Sequence, residues 1–233
     1  MMSKKLLSQS LFSVYKTVVS STDEESDKDL IKEIKALAQS PEFFTEKEIA
    51  ENNQRFANIE NVAEQKHFVC HIDGSLKVRY KDRAAKTGKT IKAGSSFIVE
   101  SNNKTLIESY FRIPDSYKGT ATNTHITEYQ ALISCLRVLS LYHPKPEIIE
   151  VELFTDSEVL TKQMDLEVRV RDDVCRSLRS EAQNYMKLFK SVSIIHCPRD
   201  SNERADRLAK KSLREKDWTG QAIGPAILEG VVS

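Results

Sequence analysis

Four acidic residues of this chain stand where an apolar framework leaves little room for charge. Asp73 follows the apolar run FVCHI, and Asp156 follows IIEVELFT. Glu128 opens the apolar stripe of THITEYQALISCL, and Asp206 lies near the inward side of SNERADRLAKKS. A buried carboxylate is costly unless it is paired or binds metal. Four carboxylates cannot pair with one another, but together they offer oxygen ligands to divalent cations. A fold for this chain must therefore bring two strand ends and two helices to one place. Such a site has the equipment for metal-assisted phosphodiester hydrolysis.

The apolar pattern says how they could converge. Phe68, Cys70 and Ile72 alternate with Val69, His71 and Asp73, with apolar residues on both faces, which predicts a central strand covered on both sides. KAGSSFIVE and TLIESYFRI flank Ser101-Asn102-Asn103-Lys104, a hairpin turn because Asn tolerates positive φ. Residues 124–142 predict a helix with Tyr129, Leu132, Leu136 and Leu139 as its stripe. IIEVELF is a short strand. A brief helix follows Asp156, a longer one covers about 171–190, VSIIHC is a strand, and a last helix spans about 202–215. Three strands in meander followed by alternating helix and strand give an α/β fold, a mixed five-stranded sheet with helices on both faces.

The chain divides into a helical N-terminal extension (1–65), a central unit (66–216) and a tail (217–233). The extension predicts three helices. SKKLLSQSLFSVYKTVVS has Leu7, Leu11, Val14, Tyr15 and Val18 at helical spacing, and Thr22-x-x-Glu25 and Thr45-x-x-Glu48 are capping boxes for the next two. The extension is expected to pack on the central unit or on another subunit. The formal net charge is +1, yet residues 1–66 carry 9 Lys and Arg against 12 Asp and Glu, which leaves the positive excess on the remainder. That excess suits contact with nucleic acid. Cys70, Cys135, Cys175 and Cys197 lie far apart with no CxxC pair, so they are expected to be buried free thiols of a reducing, cytoplasmic setting. No apolar run reaches transmembrane length, and no membrane partner is expected.

Taken singly, each carboxylate has a structural alternative. Asp73-Gly74 suits a turn. Glu128 favours a helix dipole at a first turn, though that does not require the inward face. Asp156 could cap the following helix, although Ser157 is available for that. Asp206 lies one turn before Ala209.

In order along the chain, HIDGS, TEYQALISCL, LFTDSEVLTKQM and HCPRDSNERADRLAKKS resemble ribonuclease H of type 1, in its short archaeal or reverse-transcriptase-like form, over residues 66–216. The resemblance implies an endonuclease that cuts the RNA strand of RNA–DNA hybrids and leaves 5′-phosphate and 3′-hydroxyl ends. It assigns Asp73, Glu128, Asp156 and Asp206 to two Mg²⁺ ions, with Mn²⁺ as a substitute and no small-molecule cofactor. Asp73 would bridge the two ions. Ser157 follows Asp156 as in the family motif, and Asn202 precedes the last Asp by four positions, where a helix cap is its alternative role. Arg199 stands where short forms carry an arginine for product release or phosphate binding. His196 closes a strand in a structural role. Gly74 and Ser75 of the first motif complete the implied substrate contacts.

Two departures bear on substrate choice. In place of a glycine- and proline-rich turn, Asp73 is followed by a long loop carrying Lys77, Arg79, Lys81, Arg83, Lys86, Lys89 and Lys92 against Asp82 alone. That loop is either plain surface or a salt-sensitive phosphate contact. The asparagine pair that reads the sugar edge is altered to Asn123-Thr124-His125, with Asn123 and His125 left to serve. The segment between Met164 and Val170 has no room for the basic handle of longer bacterial forms. The alternatives are a nuclease of the same fold acting on double-stranded RNA or DNA, and a catalytically silent nucleic-acid-binding module. Protein partners are not specified by the sequence.

Overall fold

A computed structural model describes residues 11–15, 25–63, 65–81 and 88–214. Helical residues 11–15 (α1) precede α2 (Glu25–Ala38) and α3 (Glu46–Ala63). Then come β1 (His67–Arg79), β2 (Thr90–Ser101), β3 (Lys104–Ile113), a two-stranded hairpin β4 (Ser116–Tyr117) and β5 (Thr120–Ala121), and α4 (Thr124–Tyr142). β6 (Glu150–Thr155), α5 (Glu158–Met164), α6 (Asp173–Met186), β7 (Ser191–His196) and α7 (Glu203–Ser212) complete the order. The tail 217–233, Leu7 and Val18 of the first stripe, Thr22 of the Thr22–Glu25 box, and the loop residues Asp82, Arg83 and Lys86 lie outside the described residues. Among those described, no helix is long and apolar enough to cross a membrane.

The expected five-stranded mixed sheet is present, in the order β3-β2-β1-β6-β7. β1 and β3 run antiparallel to β2, while β6 is parallel to β1 and to β7. Asn102 and Asn103 both take positive φ, 51° and 59°, and close the β2–β3 turn as their side chains predict.

Strand alternation gives the sheet two unlike faces. Phe68, Cys70 and Ile72 are fully enclosed and face α4. α4 is enclosed in turn, with Tyr129, Leu132, Leu136 and Leu139 all at 0% exposure, because α6 covers its other side. The opposite face is less covered than the sequence implies. α7 packs there on β1, β2 and β3, so Val69 and His71 stay half-buried, and the His71 ring stacks on Phe154. α7 comes close because it presents Ala205, Ala209 and Ser212 inward. A Cβ on Gly94 would lie 1.7 Å from the Ser212 hydroxyl, so this strand residue must lack a side chain.

A second correction concerns β1. Asp73 does not end the strand. β1 continues to Arg79 and pairs with β2 to the end, with Lys77 opposite Lys92 and Arg79 opposite Thr90. Leu76 packs against the core, while Lys77, Val78 and Arg79 are exposed. Much of the presumed loop is a charged hairpin arm.

The extension packs on this unit through α3, which meets α4 and β3. Tyr15 is fully buried, donates to Glu60 Oε1 at 2.6 Å, and packs its ring 4.5 Å from that of Phe56. Val14, expected on the buried stripe, is 46% exposed instead. The Thr45–Glu48 capping box forms in both directions, at 2.8 Å and 3.3 Å. All four cysteines are buried and free.

Candidate metal centre

The two faces meet at the middle of β1. Gly74 has no side chain, and it can have none. A Cβ there would lie 2.4 Å from Thr127 Oγ1 and 2.7 Å from the Glu128 backbone nitrogen. The first turn of α4 therefore rests directly on β1, with Glu128 beside Asp73. Asn123 caps that turn by accepting from the Ile126 N–H at 3.0 Å. From β2, Ser95 Oγ donates to Thr127 O at 2.7 Å, and Ser96 Oγ donates to Ala205 O at 2.7 Å on the other face. Neighbouring serines thus pin the two helices that carry Glu128 and Asp206.

Asp156 arrives on the turn after β6. Ser157, not Asp156, caps α5, accepting from Leu160 N at 3.3 Å, so the structural alternative for Asp156 falls away. Asn202 does not cap α7 with its side chain. Its Nδ2 donates to Ile72 O at 2.8 Å, which ties the start of α7 to the residue before Asp73. At 1% exposure it positions the site and cannot touch a macromolecular substrate.

Asp73, Glu128 and Asp156 each place one carboxylate oxygen within 4.8 Å of the others. Asp73 and Glu128 are both 4% exposed, and Glu128 Oε2 is buried with no hydrogen-bond partner. Burial, then the charges of Asp156 and Asp206, push the Asp73 carboxyl up to about 8. Burial, then Asp73 and Asp156, push Glu128 well above the usual carboxylate range. All the convergent donors are oxygen, and one is orphaned, which fits a hard divalent cation such as Mg²⁺. A cation there would offset both the burial and the mutual repulsion that raise the two groups.

Asp206 is placed differently. It is near enough to raise Asp73, yet it is not one of the three mutually close oxygen donors. Burial alone would raise it, but hydrogen bonds from Lys210 and Arg199 outweigh burial and hold it below the usual range. Arg199 donates to Oδ1 at 3.0 Å and Lys210 to Oδ2 at 2.5 Å. Arg199, largely exposed, also lies 3.9 Å from Asp156 Oδ2. Lys210 is not among the expected site residues, although its i, i+4 spacing from Asp206 on a helix is a readable pairing signal.

His125 is exposed on the first turn of α4, Ser75 is half-buried on β1, and Lys77, Arg79 and Lys81 are exposed on and just beyond the charged arm. His196 is exposed at the end of β7, so no buried structural role supports it. Gln163, also unforeseen, accepts from the Tyr129 hydroxyl at 3.0 Å and links α5 to α4 next to Glu128.

Residues 96–212, half of the chain, match the reverse-transcriptase-like family. That span includes Glu128, Asp156 and Asp206 and stops short of Asp73. Ribonuclease HI of Halobacterium salinarum is 36% identical over 95 residues, which are 41% of this chain and 45% of that protein. The chain thus aligns with less than half the length of that relative. The crystal structure of RNase H1 from the same archaeon is similar with a TM-score of 0.50 and 26% identity, over 63% of this chain and 97% of that one. LC11-RNase H1 in complex with an RNA/DNA hybrid gives a TM-score of 0.51 and 25% identity, over 63% and 96%.

Proposed function

The chain belongs to the reverse-transcriptase-like family, of the ribonuclease H type 1 kind, and from that premise we propose that it is a metal-dependent endoribonuclease cutting the RNA strand of RNA–DNA hybrids. The observation that carries the reading is the convergence of Asp73, Glu128 and Asp156 oxygens within 4.8 Å, two of them on nearly buried side chains. The hybrid bound in a structural neighbour supports the choice of substrate.

Asp73, Glu128 and Asp156 would hold one divalent ion, and Asp73 with Asp206 would contribute to a second. Mg²⁺, or Mn²⁺ in its place, would supply a more acidic water and would offset charge on the departing oxygen. The protein's own part is positional. β1 fixes Asp73 at mid-strand, Gly74 lets α4 bring Glu128 alongside, and Asn202 holds the start of α7. Asp73, raised to about 8, must give up its proton for the site to load. Products with 5′-phosphate and 3′-hydroxyl ends follow from attack by water with the 3′ oxygen leaving. Arg199 is exposed beside two of the carboxylates and is suited to a phosphate or to the released end.

Gly74, Ser75, Asn123, His125 and Ser157 line the approach in this reading, and Lys77, Arg79 and Lys81 offer a salt-sensitive grip on phosphates. Residues 1–65 and 217–233 flank the catalytic unit, and the setting is cytoplasmic. Asn123 uses its side-chain oxygen in the α4 cap, which leaves its amide N–H groups for the sugar edge of the duplex.

The test is cleavage of end-labelled RNA–DNA hybrid, double-stranded RNA and double-stranded DNA with Mg²⁺ or Mn²⁺, comparing the native chain with Asp73→Asn. Cutting of only the hybrid's RNA, lost in the variant, is expected. Cutting of another duplex keeps the metal chemistry and overturns the substrate. Binding of hybrid without any cleavage leaves a binding module.

A further inference from the structure

Beyond the carboxylates, the arm of β1 and β2 carries positive charge with no acid to balance it. Residues 74–81 and 88–99 hold Lys77, Arg79, Lys81, Lys89 and Lys92 and no Asp or Glu. The arm is built as paired strand, with Lys77 opposite Lys92 and Arg79 opposite Thr90. Directly opposed residues of an antiparallel pair share one face. The same register sets Ser75 against Gly94, whose missing Cβ would meet Ser212 of α7. Asp73, Ser75, Lys77 and Arg79 therefore run in a row on the α7 side. At the rise of a strand, Lys77 stands about 13 Å from Asp73 and Arg79 about 20 Å. Like charges set opposite each other weaken a sheet. Lys77 and Lys92 are nevertheless opposed, both exposed, and neither meets an acid among the described residues. Lys92 has a structural use, since its Nζ donates to Leu213 O at 3.4 Å, where a cation suits the end of a helix. That use does not extend to Lys77 or Arg79. It does join the arm to the end of α7, where Lys211 and Arg214 are also exposed.

We propose that this face of the arm, together with the end of α7, is a second phosphate-binding surface that grips the duplex to one side of the cut, about six nucleotide steps from the carboxylates. The step count follows from the rise of about 3.4 Å per nucleotide along one strand, set against about 20 Å of arm. The proposal rests on the hybrid-cutting function above and goes beyond it by giving the substrate a required length and a required side. Paired strands hold the cations at fixed spacing, so less freedom is lost on binding than from a loose loop. Lysines that merely solvate a surface predict no dependence on the length of the duplex.

The experiment uses the full chain and a DNA strand with a short run of ribonucleotides at a fixed position, paired to complementary DNA. One flank of the run is given about 2, 6 or 12 base pairs while the other is held long, and then the two flanks are exchanged. KM and kcat are read with Mg²⁺, and binding is read by fluorescence anisotropy in an Asp73→Asn background. The chains are the native one, Lys77→Gln with Arg79→Gln, Lys77→Arg with Arg79→Lys, and Lys211→Gln with Arg214→Gln. Lys104→Gln with Lys145→Gln is the charge control, since both lysines are exposed at the other end of the sheet. For the native chain, KM and the dissociation constant should fall about tenfold as one flank grows from about 2 to about 6 base pairs, and no such step should follow the other flank. The glutamine pair on β1 should remove the step and lower the salt slope of binding by about 2. The pair at the end of α7 should remove part of it, and the charge-keeping pair and the control should retain it. A native chain without a step, equal steps on both flanks, a step that survives in the folded β1 pair, or a step lost in the control overturns the surface. A chain that cuts none of these substrates yet binds them with the step overturns the hybrid-cutting function and keeps the surface. Thermal melts establish that the variants are folded.

Discussion

The two faces of the sheet differ most where they are closest. On the α4 side of β1, Phe68, Cys70 and Ile72 are wholly enclosed by apolar contacts. On the α7 side, the same strand presents His71 and Asp73, and the cross-strand neighbour of Asp73 is Ser96. One face stabilises the fold by removing apolar surface from water. The other gives up some of that stabilisation to hold charge that repels its neighbours. The difference teaches that the site is not an addition to the rim of the fold. It lies on the central strand between α7 on one face and the start of α4 on the other, and the apolar packing under α4 keeps it in place.

The largest effect that would sharpen this contrast is Asp73→Asn. Cleavage should fall by orders of magnitude, while the melting temperature at pH 8 without divalent ions should rise. A fall in both would mean that Asp73 also carries structural weight, and the contrast would break. Next is Gly74→Ala, which forces a methyl against the α4 backbone. A loss of about 3 kcal/mol in chemical denaturation is expected, the upper end for overpacking against a rigid neighbour. Cleavage should drop with it, since Glu128 rides on the same turn. An unchanged stability would mean that α4 is free to move away from β1.

The pH dependence follows from sign. Asp73 binds its proton more tightly folded than unfolded, so its ionisation opposes folding. Without divalent ions, stability should fall as pH rises from the ordinary carboxylate range toward about 8, and Asp73→Asn should flatten that slope. Added Mg²⁺ should restore the native chain at pH 8. A slope unaffected by the substitution would move the burden to Glu128. Smaller still is Asn202→Ala, which leaves the Ile72 carbonyl unsatisfied. A cost of about 2 kcal/mol is expected in a melt, with weaker Mn²⁺ binding. The smallest is Arg204→Ala. Arg204 ties α7 to Glu100, Thr105 and Glu108 at the surface, and its loss should cost about 0.5 kcal/mol with cleavage unchanged.

Much of this was legible in the residues. The stripe of Tyr129, Leu132, Leu136 and Leu139 gave the α4 limits, and the paired asparagines gave the β2–β3 turn, because both signals are local. The arm of β1 was not read, although Leu76 and Val78 alternate with Ser75, Lys77 and Arg79 as a half-exposed strand should. The density of positive charge suggests a loop and masks that alternation. The motif points Asn202 toward substrate, with a cap as the alternative, and neither reading reaches its bond to Ile72, which spans 130 positions and leaves no periodic trace. Asp206 was placed correctly near an inward face, but its capture by Lys210 and Arg199 depends on which rotamers meet. The three-way approach of Asp73, Glu128 and Asp156 is a product of topology, and only the order of the motifs hinted at it.

Ser95 and Ser96 are consecutive, and each holds a helix on the opposite side of the sheet. A single residue inserted or deleted in β2 ahead of them would reverse their directions, and each hydroxyl would meet the wrong helix. Point substitution can still explore this segment, whereas changes of length cannot. Insertions are therefore tolerated in the connections between strands rather than within β2, where the spacing of the two hydroxyls sets the position of both helices.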